Sequence, residues 1–386
     1  MNGRKDIFQK LETKLFERRT PNAQLLWFHC ASLGEFEQGR PLIEKLKSQH
    51  PSIKILLTFF SPSGYEVRKN YSGANWVFYL PIDTIANAEK FISIIKPDRV
   101  FFVKYEFWFN YLNQLKKSNI PTYLISGIFR KEQHFFKSYG NWFKKQLWCF
   151  SHFFVQDENS MVLLKSIGYT NVTISGDTRF DRVYEIAQSV KKIDLVNSFV
   201  GNNKIIVAGS TWKEDEKIIA DWFNKSKLRA SNFKLIIAPH EISEPNIQSI
   251  IQQFNNSTIV KYSQANEQNI QEAEILIIDN IGMLSSLFQY GTIAFTGGGF
   301  GKGIHNILEA ATFGLPIIFG PNYKKFVEAN ELIKLGGAFS ITNTIEFEKI
   351  MQLLNDQNQL TSASAIAKEY VKSSTGATKK ILNFIS

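Results

Sequence analysis

Cysteine is nearly missing from this chain of 386 residues, which has two, Cys30 and Cys149, each inside an apolar run. Two cysteines cannot make a disulfide framework or a four-cysteine zinc site, so buried free thiols in a reducing compartment are expected. Histidine is also sparse, with six scattered along the chain and none at metal-ligand spacing. No run of about 20 uninterrupted apolar residues occurs, so the chain as given has no segment able to cross a bilayer as a helix. A signal peptide, an internal repeat at solenoid spacing and a low-complexity tract are likewise missing. Acidic residues are outnumbered, 35 against 45 basic ones. The resulting net charge of +10 favours anionic partners: phosphates, nucleic acid or an anionic membrane face.

Against these absences, 44% hydrophobic and 21% charged residues are globular values, and the length suits two domains, each with its own core. Short apolar runs alternate with helical patterns of about 10–15 residues, which predicts a parallel sheet covered on both faces. Strands are predicted over 24–30, 53–59, 76–80, 99–104, 121–126, 152–155 and 171–175, and in a second series over 204–208, 233–238, 257–261, 274–278, 292–296 and 316–319. The polar span 191–203 reads as the junction. Domains are therefore expected at 1–192 and 203–357, with helices over 358–386 packing back on the first. The fold class is α/β, two Rossmann-like domains facing across a cleft. Ligands of such sheets lie beyond the carboxyl ends of the strands, where Glu35 and Glu106 stand.

The most distinctive stretch is TGGGFGKGIHNILEAATFGLPIIFGP, Thr296 to Pro321. It reads as a strand end, a loop with glycines at 297, 298, 299, 301 and 303, and a helix that starts at His305 or Asn306 and closes at Gly314. Glycines let a ligand approach the backbone, and a helix N-terminus offers unpaired N–H groups, so an anion is expected. A P-loop is excluded, because Gly301-Lys302 lacks the earlier glycine, with Thr296 in its place, and is followed by Gly303 instead of Ser or Thr. The dinucleotide fingerprint fails too, since Gly297 and Gly299 meet Lys302 at the required place, and Gly299 and Gly301 meet Ile304.

Three more loops follow strands of the second half: Gly209-Ser210-Thr211, Pro239-His240-Glu241 and Asp279 to Leu284. With the glycine loop they could hold a nucleotide. Glu309, one turn past Asn306, suits two ribose hydroxyls or is a plain surface glutamate. Lys302 screens phosphate or is simply solvated. In the first half Glu35 opens a helix, either as an acid favoured by the helix dipole or as a general base. Glu106, among Tyr105, Phe107 and Trp108, needs a partner or has a raised pKa, and Arg179 is the candidate partner. An ordinary surface ion pair is the plainer reading of Arg179.

Two basic stretches complete the inventory. Residues 4–19 place Ile7, Leu11 and Leu15 on one helical face with Arg4, Lys5, Lys10, Lys14, Arg18 and Arg19 around them, which suits a membrane surface or a packed surface helix. Residues 129–150 interleave Arg130, Lys131, Lys137, Lys144 and Lys145 with eight aromatics. They are either core with a basic edge or a surface for an amphiphilic anion or lipid. No reader motif accompanies them, so nucleic acid is not expected as a partner.

Six segments taken together resemble the ordered motifs of the 3-deoxy-D-manno-octulosonic acid (Kdo) transferases of lipopolysaccharide synthesis. They are Ser32-Leu33-Gly34-Glu35, Glu106-Phe107-Trp108, Gly176 to Asp181, Pro239-His240, Ile281 to Leu284, and Gly297 to Pro321 with its His305-Asn306-Ile307-Leu308-Glu309. The resemblance implies a GT-B fold, CMP-Kdo as donor, lipid IVA as acceptor, inversion at the anomeric carbon, and neither cofactor nor metal. It implies the cytoplasmic face of the inner membrane, reached peripherally or through an N-terminal anchor ahead of Gly3-Arg4-Lys5. Carried across, Glu35 is the base, and Glu106 and Arg179 stabilise the transition state. CMP contacts fall on Ser210, Thr211, Pro239, His240, Gly282, Met283, Leu284, Gly298, Gly299, Asn306, Ile307, Leu308 and Glu309. Ser32, Gly34, Arg130 and Lys131 serve the acceptor. Departures from the family pattern are Arg179 for lysine, His240 for arginine, Met283 for glutamate, and Lys104 and Phe109 where an acid and a proline are usual. Alternatives are a GT-B transferase using a UDP- or GDP-sugar and a non-catalytic basic membrane adaptor.

Overall fold

The computed structural model describes residues 6–16, 23–225, 233–254 and 257–385. They form two units, Met1–Arg182 with Ser374–Ser386, and Val183–Ser373. The first contains β1 (Leu25–Cys30), β2 (Lys54–Phe59), β3 (Trp76–Tyr79), β4 (Arg99–Val103), β5 (Thr122–Gly127), β6 (His152–Val155) and β7 (Val172–Ile174). These pair in parallel in the order β3-β2-β1-β4-β5-β6-β7. The alternation of side chains along a strand sorts them between two cores. Leu25, Trp27, Leu56, Val100 and Phe102 join the helices Ile7–Phe16, Ile85–Ile95 and Phe109–Lys117 on one face. Leu26, Phe28, Cys30, Leu57, Phe101 and Val103 join Leu33–Gln49 and Ala377–Ile385 on the other.

The second unit repeats the plan. It contains β8 (Lys204–Thr211), β9 (Phe233–Pro239), β10 (Ile259–Lys261), β11 (Ile275–Ile277), β12 (Ile293–Thr296), β13 (Ile317–Phe319) and β14 (Ala338–Ser340). Their order is β10-β11-β9-β8-β12-β13-β14, all pairs being parallel. In each sheet the connections reverse direction on either side of the first strand. That switch lies between β1 and β4 in one unit and between β8 and β12 in the other, where α/β sheets open a crevice for ligands.

Several expectations need correction. The helix Ile7–Phe16 buries Ile7, Leu11 and Leu15 in the core, so its apolar face is occupied and the packed-helix reading holds. Arg4, Lys5, Arg18 and Arg19 lie outside the described residues. The span 191–203 is not a bare linker but holds the helix Asp194–Val200, and the division between units falls earlier, within the helix Thr178–Ser189. The helices expected over 358–386 are Gln357–Ser373 and Ala377–Ile385, broken at Gly376 with φ +108°. The first of these stays with the second unit and the other completes the first. Of the aromatics in 129–150, Phe129, Phe135 and Phe150 are core, whereas Tyr139, Trp142 and Trp148 stand exposed. Among the described residues no helix is long and apolar enough to cross a membrane.

Candidate active site

At the end of β1 the chain turns through Ser32 into the helix Leu33–Gln49, closed by a capping box. Ser32 donates its backbone N–H to Glu35 Oε2 at 3.0 Å and its hydroxyl to the same oxygen. That is the structural use of a glutamate at the third helical position. It consumes one oxygen, and Oε1 has no hydrogen-bond partner among the described residues. Glu35 is half-buried and Gly34, in the same turn, is exposed.

Beyond β4, Lys104 takes the left-handed conformation (φ +70°) and starts a turn that brings Glu106 back over the sheet end. The Trp108 indole N–H donates to Glu106 Oε2, and His29 Nε2 lies 3.3 Å from the same oxygen. The partners of Glu106 are therefore Trp108 and His29, while the Arg179 guanidinium is engaged by Asp177. Its Nε and terminal nitrogen both reach Asp177 Oδ2 at 2.8 Å, and Gln38 Nε2–H donates to that oxygen at 3.2 Å. Tyr105 shows how these groups converge. Burial raises its phenol pKa, Glu35 and Asp157 add to the rise, and Arg130 and Arg179 oppose it. Arg130 also donates to the Tyr105 hydroxyl at 3.2 Å with its guanidinium 5.6 Å over the ring. Lys131 beside it is exposed. The Cys30 thiol marks a second meeting point, held up by burial and by the charges of Glu35, Glu106 and Glu37. Both cysteines are buried and free, as expected.

The second switch point is built around the glycine loop, and chain packing by itself already requires Gly297, Gly298 and Gly299. A Cβ on Gly297 would stand 2.2 Å from the Ser210 carbonyl oxygen, and one on Gly299 2.5 Å from the Gly320 nitrogen. Gly298, at φ +88°, would meet the Gly303 carbonyl at 2.6 Å. The loop thus packs chain on chain against the β8 turn, where Ser210 itself is left-handed (φ +53°) at an irregularity of the β8–β9 pairing. Asp215 ties the two together, its Oδ2 accepting the N–H groups of Trp212 and Gly298 at 2.9 Å each. Burial pushes the Asp215 carboxyl up to about 6 and that of Glu216 to about 7.

Trp212 Nε1–H donates to His305 Nε2 at 3.2 Å, so these rings lie edge to edge, and His240 stacks on both at 4.4 and 4.8 Å. Accepting at Nε2 agrees with the lowered pKa of His305, which burial and His240 produce. These rings, Phe300, Lys302 and the glycine loop line a cavity of ≈ 440 Å³. It offers flat aromatic faces beside Lys302 and the carboxyl groups of Glu214 and Asp215, a setting for a planar or sugar ring.

Other candidates in this unit show their backbone more than their side chains. Thr211 and Pro239 are buried, Thr211 donating to Glu216 at 3.0 Å, and the side chains of Ile307 and Leu308 are core. Gly282 is left-handed (φ +94°), Met283 follows it, and Leu284 opens the short helix Leu284–Leu287 under Gly209. The helix expected from His305 starts only at Leu308 and ends at Ala311. His305 N–H is held by the Gly297 carbonyl at 3.1 Å, and Asn306 Oδ1 takes the Leu308 N–H at 3.1 Å. Asn306 also donates to Glu309 at 3.1 Å. Trp212, Asp215 and His29 went unnoticed in the sequence, and Tyr105 was read only as an aromatic neighbour of Glu106. The signals were a tryptophan directly after Gly-Ser-Thr and a histidine inside an apolar strand. Among the described residues no group of three His, Cys, Asp or Glu could hold a metal.

Residues 6–182 match the family model described as 3-deoxy-D-manno-octulosonic-acid transferase (kdotransferase). A 3-deoxy-D-manno-octulosonic acid transferase of Aquifex aeolicus is 30% identical over 345 residues, covering 87% of this chain and 87% of that protein. The chain belongs to this family. The Kdo transferase family also brings a longer relative, a bifunctional glycosyltransferase/methyltransferase of Fusobacterium nucleatum, 28% identical over 86% of this chain. This chain spans about half of that protein's length, 53%. Among solved structures, UDP-GlcNAc 2-epimerase from Neisseria meningitidis bound to UDP-GlcNAc superposes with a TM-score of 0.62 at 16% identity, covering 94% of this chain and 99% of that one. MurG of Acinetobacter baumannii gives 0.58 at 11% identity over 94% and 99%. At such identity the likeness concerns fold, and with the two seven-stranded sheets it makes this Kdo transferase family member a two-domain GT-B protein.

Proposed function

We propose that the chain transfers Kdo from CMP-Kdo to lipid IVA in lipopolysaccharide synthesis, with inversion at the anomeric carbon. The observation that carries the reading is the Glu35 carboxylate, fixed on the first turn of a helix at a switch point with one oxygen bound to Ser32 and the other open. A base so anchored needs no reorganisation to accept a proton. The acceptor hydroxyl gives its proton to Glu35 Oε1, its oxygen bonds to the anomeric carbon of Kdo, and the bond from that carbon to the phosphate oxygen breaks. CMP leaves with both electrons of that bond. Glu106, which accepts the Trp108 indole N–H, faces the positive charge that grows on the sugar, and Arg179, oriented by Asp177, handles negative charge. Ser32 and Gly34 position the acceptor, whose phosphates suit Arg130 and Lys131.

In the second unit, CMP-Kdo is held by Ser210, Thr211, Pro239, His240, Gly282, Met283, Leu284, Gly298, Gly299 and Asn306 to Glu309, largely through backbone groups. The exposed Tyr139, Trp142 and Trp148 among lysines support peripheral binding to the cytoplasmic face of the inner membrane. The test is Glu35→Gln incubated with lipid IVA and CMP-Kdo generated in situ, followed by mass spectrometry. Loss of Kdo addition with calorimetric CMP binding intact is expected, and retained turnover refutes the base. Thermal stabilisation by UDP or GDP but not by CMP refutes the donor.

A further inference from the structure

β1 and β2 pair with His29 opposite Thr58, and β1 and β4 with His29 opposite Phe102. Alternation along β1 turns Trp27 to the same face as His29. The register therefore assembles a polar chain inside an aromatic core. Trp27 Nε1–H donates to Thr58 Oγ1 at 2.8 Å, and Thr58 Oγ1 lies 2.9 Å from His29 Nδ1. The threonine hydroxyl owns one proton, which goes either to His29 Nδ1 or to the Phe28 carbonyl oxygen at 3.4 Å. The shorter contact makes Nδ1 an acceptor and places the imidazole's own proton on Nε2.

Nε2 is buried and makes no well-formed hydrogen bond, yet Glu106 Oε2 faces it at 3.3 Å. The His29 ring stands edge-on to Trp108 (5.2 Å, 90°), whose indole N–H already donates to that oxygen. Buried polar atoms left unsatisfied in a native structure are few and call for an explanation. Hydrogen bonds at active sites are often long without substrate and tighten during reaction.

We propose that His29 is a positioning residue for Glu106 and that Thr58 sets its tautomer. The Nε2–H is a reserved donor that closes on the carboxylate when Glu106 opposes the positive charge of the reacting sugar. A contact made mainly in the transition state raises kcat and leaves KM alone. The inference rests on the role given to Glu106 above, and the experiment separates the two.

Nitrogen-15 NMR of the full chain labelled at histidine reads the tautomer directly and needs no variant. The wild type should show His29 protonated at Nε2, and Thr58→Val should lose that preference while Thr58→Ser keeps it. With CMP-Kdo and lipid IVA, Thr58→Val should lower kcat about tenfold, the worth of one hydrogen bond, at unchanged KM. Thr58→Ser should restore kcat. A wild-type His29 protonated at Nδ1 overturns the proposal. So does wild-type kcat in Thr58→Val when Glu106→Gln has lost turnover. Full turnover in Glu106→Gln instead removes the role of Glu106, and the wild-type tautomer alone then decides whether Thr58 orients His29.

Discussion

Replacing Glu216 with glutamine should stabilise the second unit at pH 8 and fail to do so at pH 5. Glu216 is 1% exposed, accepts one hydrogen bond from Thr211 at 3.0 Å, and keeps Oε2 buried without a partner. Burial first, then the charges of Asp215 and Glu214, lift its carboxyl from 4.5 to about 7. A folded-state pKa above the unfolded one means stability that is complete below about 4.5 and is lost as pH rises through about 7. A shift of that size corresponds to ~3 kcal/mol lost by pH 8 at ~1.4 kcal/mol per unit. Glutamine keeps the Thr211 bond and carries no charge, but its buried amide lacks partners at ~1–2 kcal/mol. The net gain at pH 8 is about 1–2 kcal/mol, or about 3–6 °C in Tm for a unit of this size. At pH 5, where the wild-type group is protonated, the gain should vanish or turn into a small loss. Thermal melts of both proteins from pH 5 to 8, followed by hydrogen exchange in Lys213–Lys225, measure the effect at the helix that carries residue 216. A difference between the proteins that stays constant with pH refutes the reasoning.

Gly297→Ala drives a methyl against the Ser210 carbonyl and should cost about 1–3 kcal/mol or more by overpacking, read as a lower Tm together with weaker stabilisation by CMP. Asp181→Ala removes the acceptor that the N–H groups of Gly376 and Thr378 use at 2.5 and 2.6 Å. It should weaken the helix Ala377–Ile385 by about 1–2 kcal/mol, the usual worth of an N-cap, seen as faster amide exchange confined to that helix.

Much of this architecture was legible in the sequence because its strands are buried on both faces and read as short apolar runs. Runs such as Leu25–Cys30 and Ile293–Thr296 were located to within a residue or two. What stayed hidden depends on contacts between distant residues. His305 looked like a helix start, but the Gly297 carbonyl holds its N–H, a long-range preference that no local pattern reports. The glycines of 297–299 suggested ligand approach, whereas Ser210 and Gly320 are what press on two of them. Glu106 correctly called for a partner, but choosing His29 over Arg179 needed the register of β1 and β4. Glu35 shows its helix-capping reading directly, with Oε2 bound to Ser32, and its Oε1 has no hydrogen-bond partner among the described residues.

The helix Ala377–Ile385 places Ile381, Leu382 and Ile385 in the same core as Leu26, Leu46 and Ile53. Those partners leave the ribosome long before it does, since all of Val183–Ser373 is translated in between. At about 5–20 residues per second, translating that stretch alone takes on the order of 10–40 s. Throughout it the first unit has an uncovered apolar groove on the Leu33–Gln49 side of its sheet, and the nascent chain needs a chaperone or its own later residues to cover it. The first unit is therefore completed only after the whole of the second has been translated.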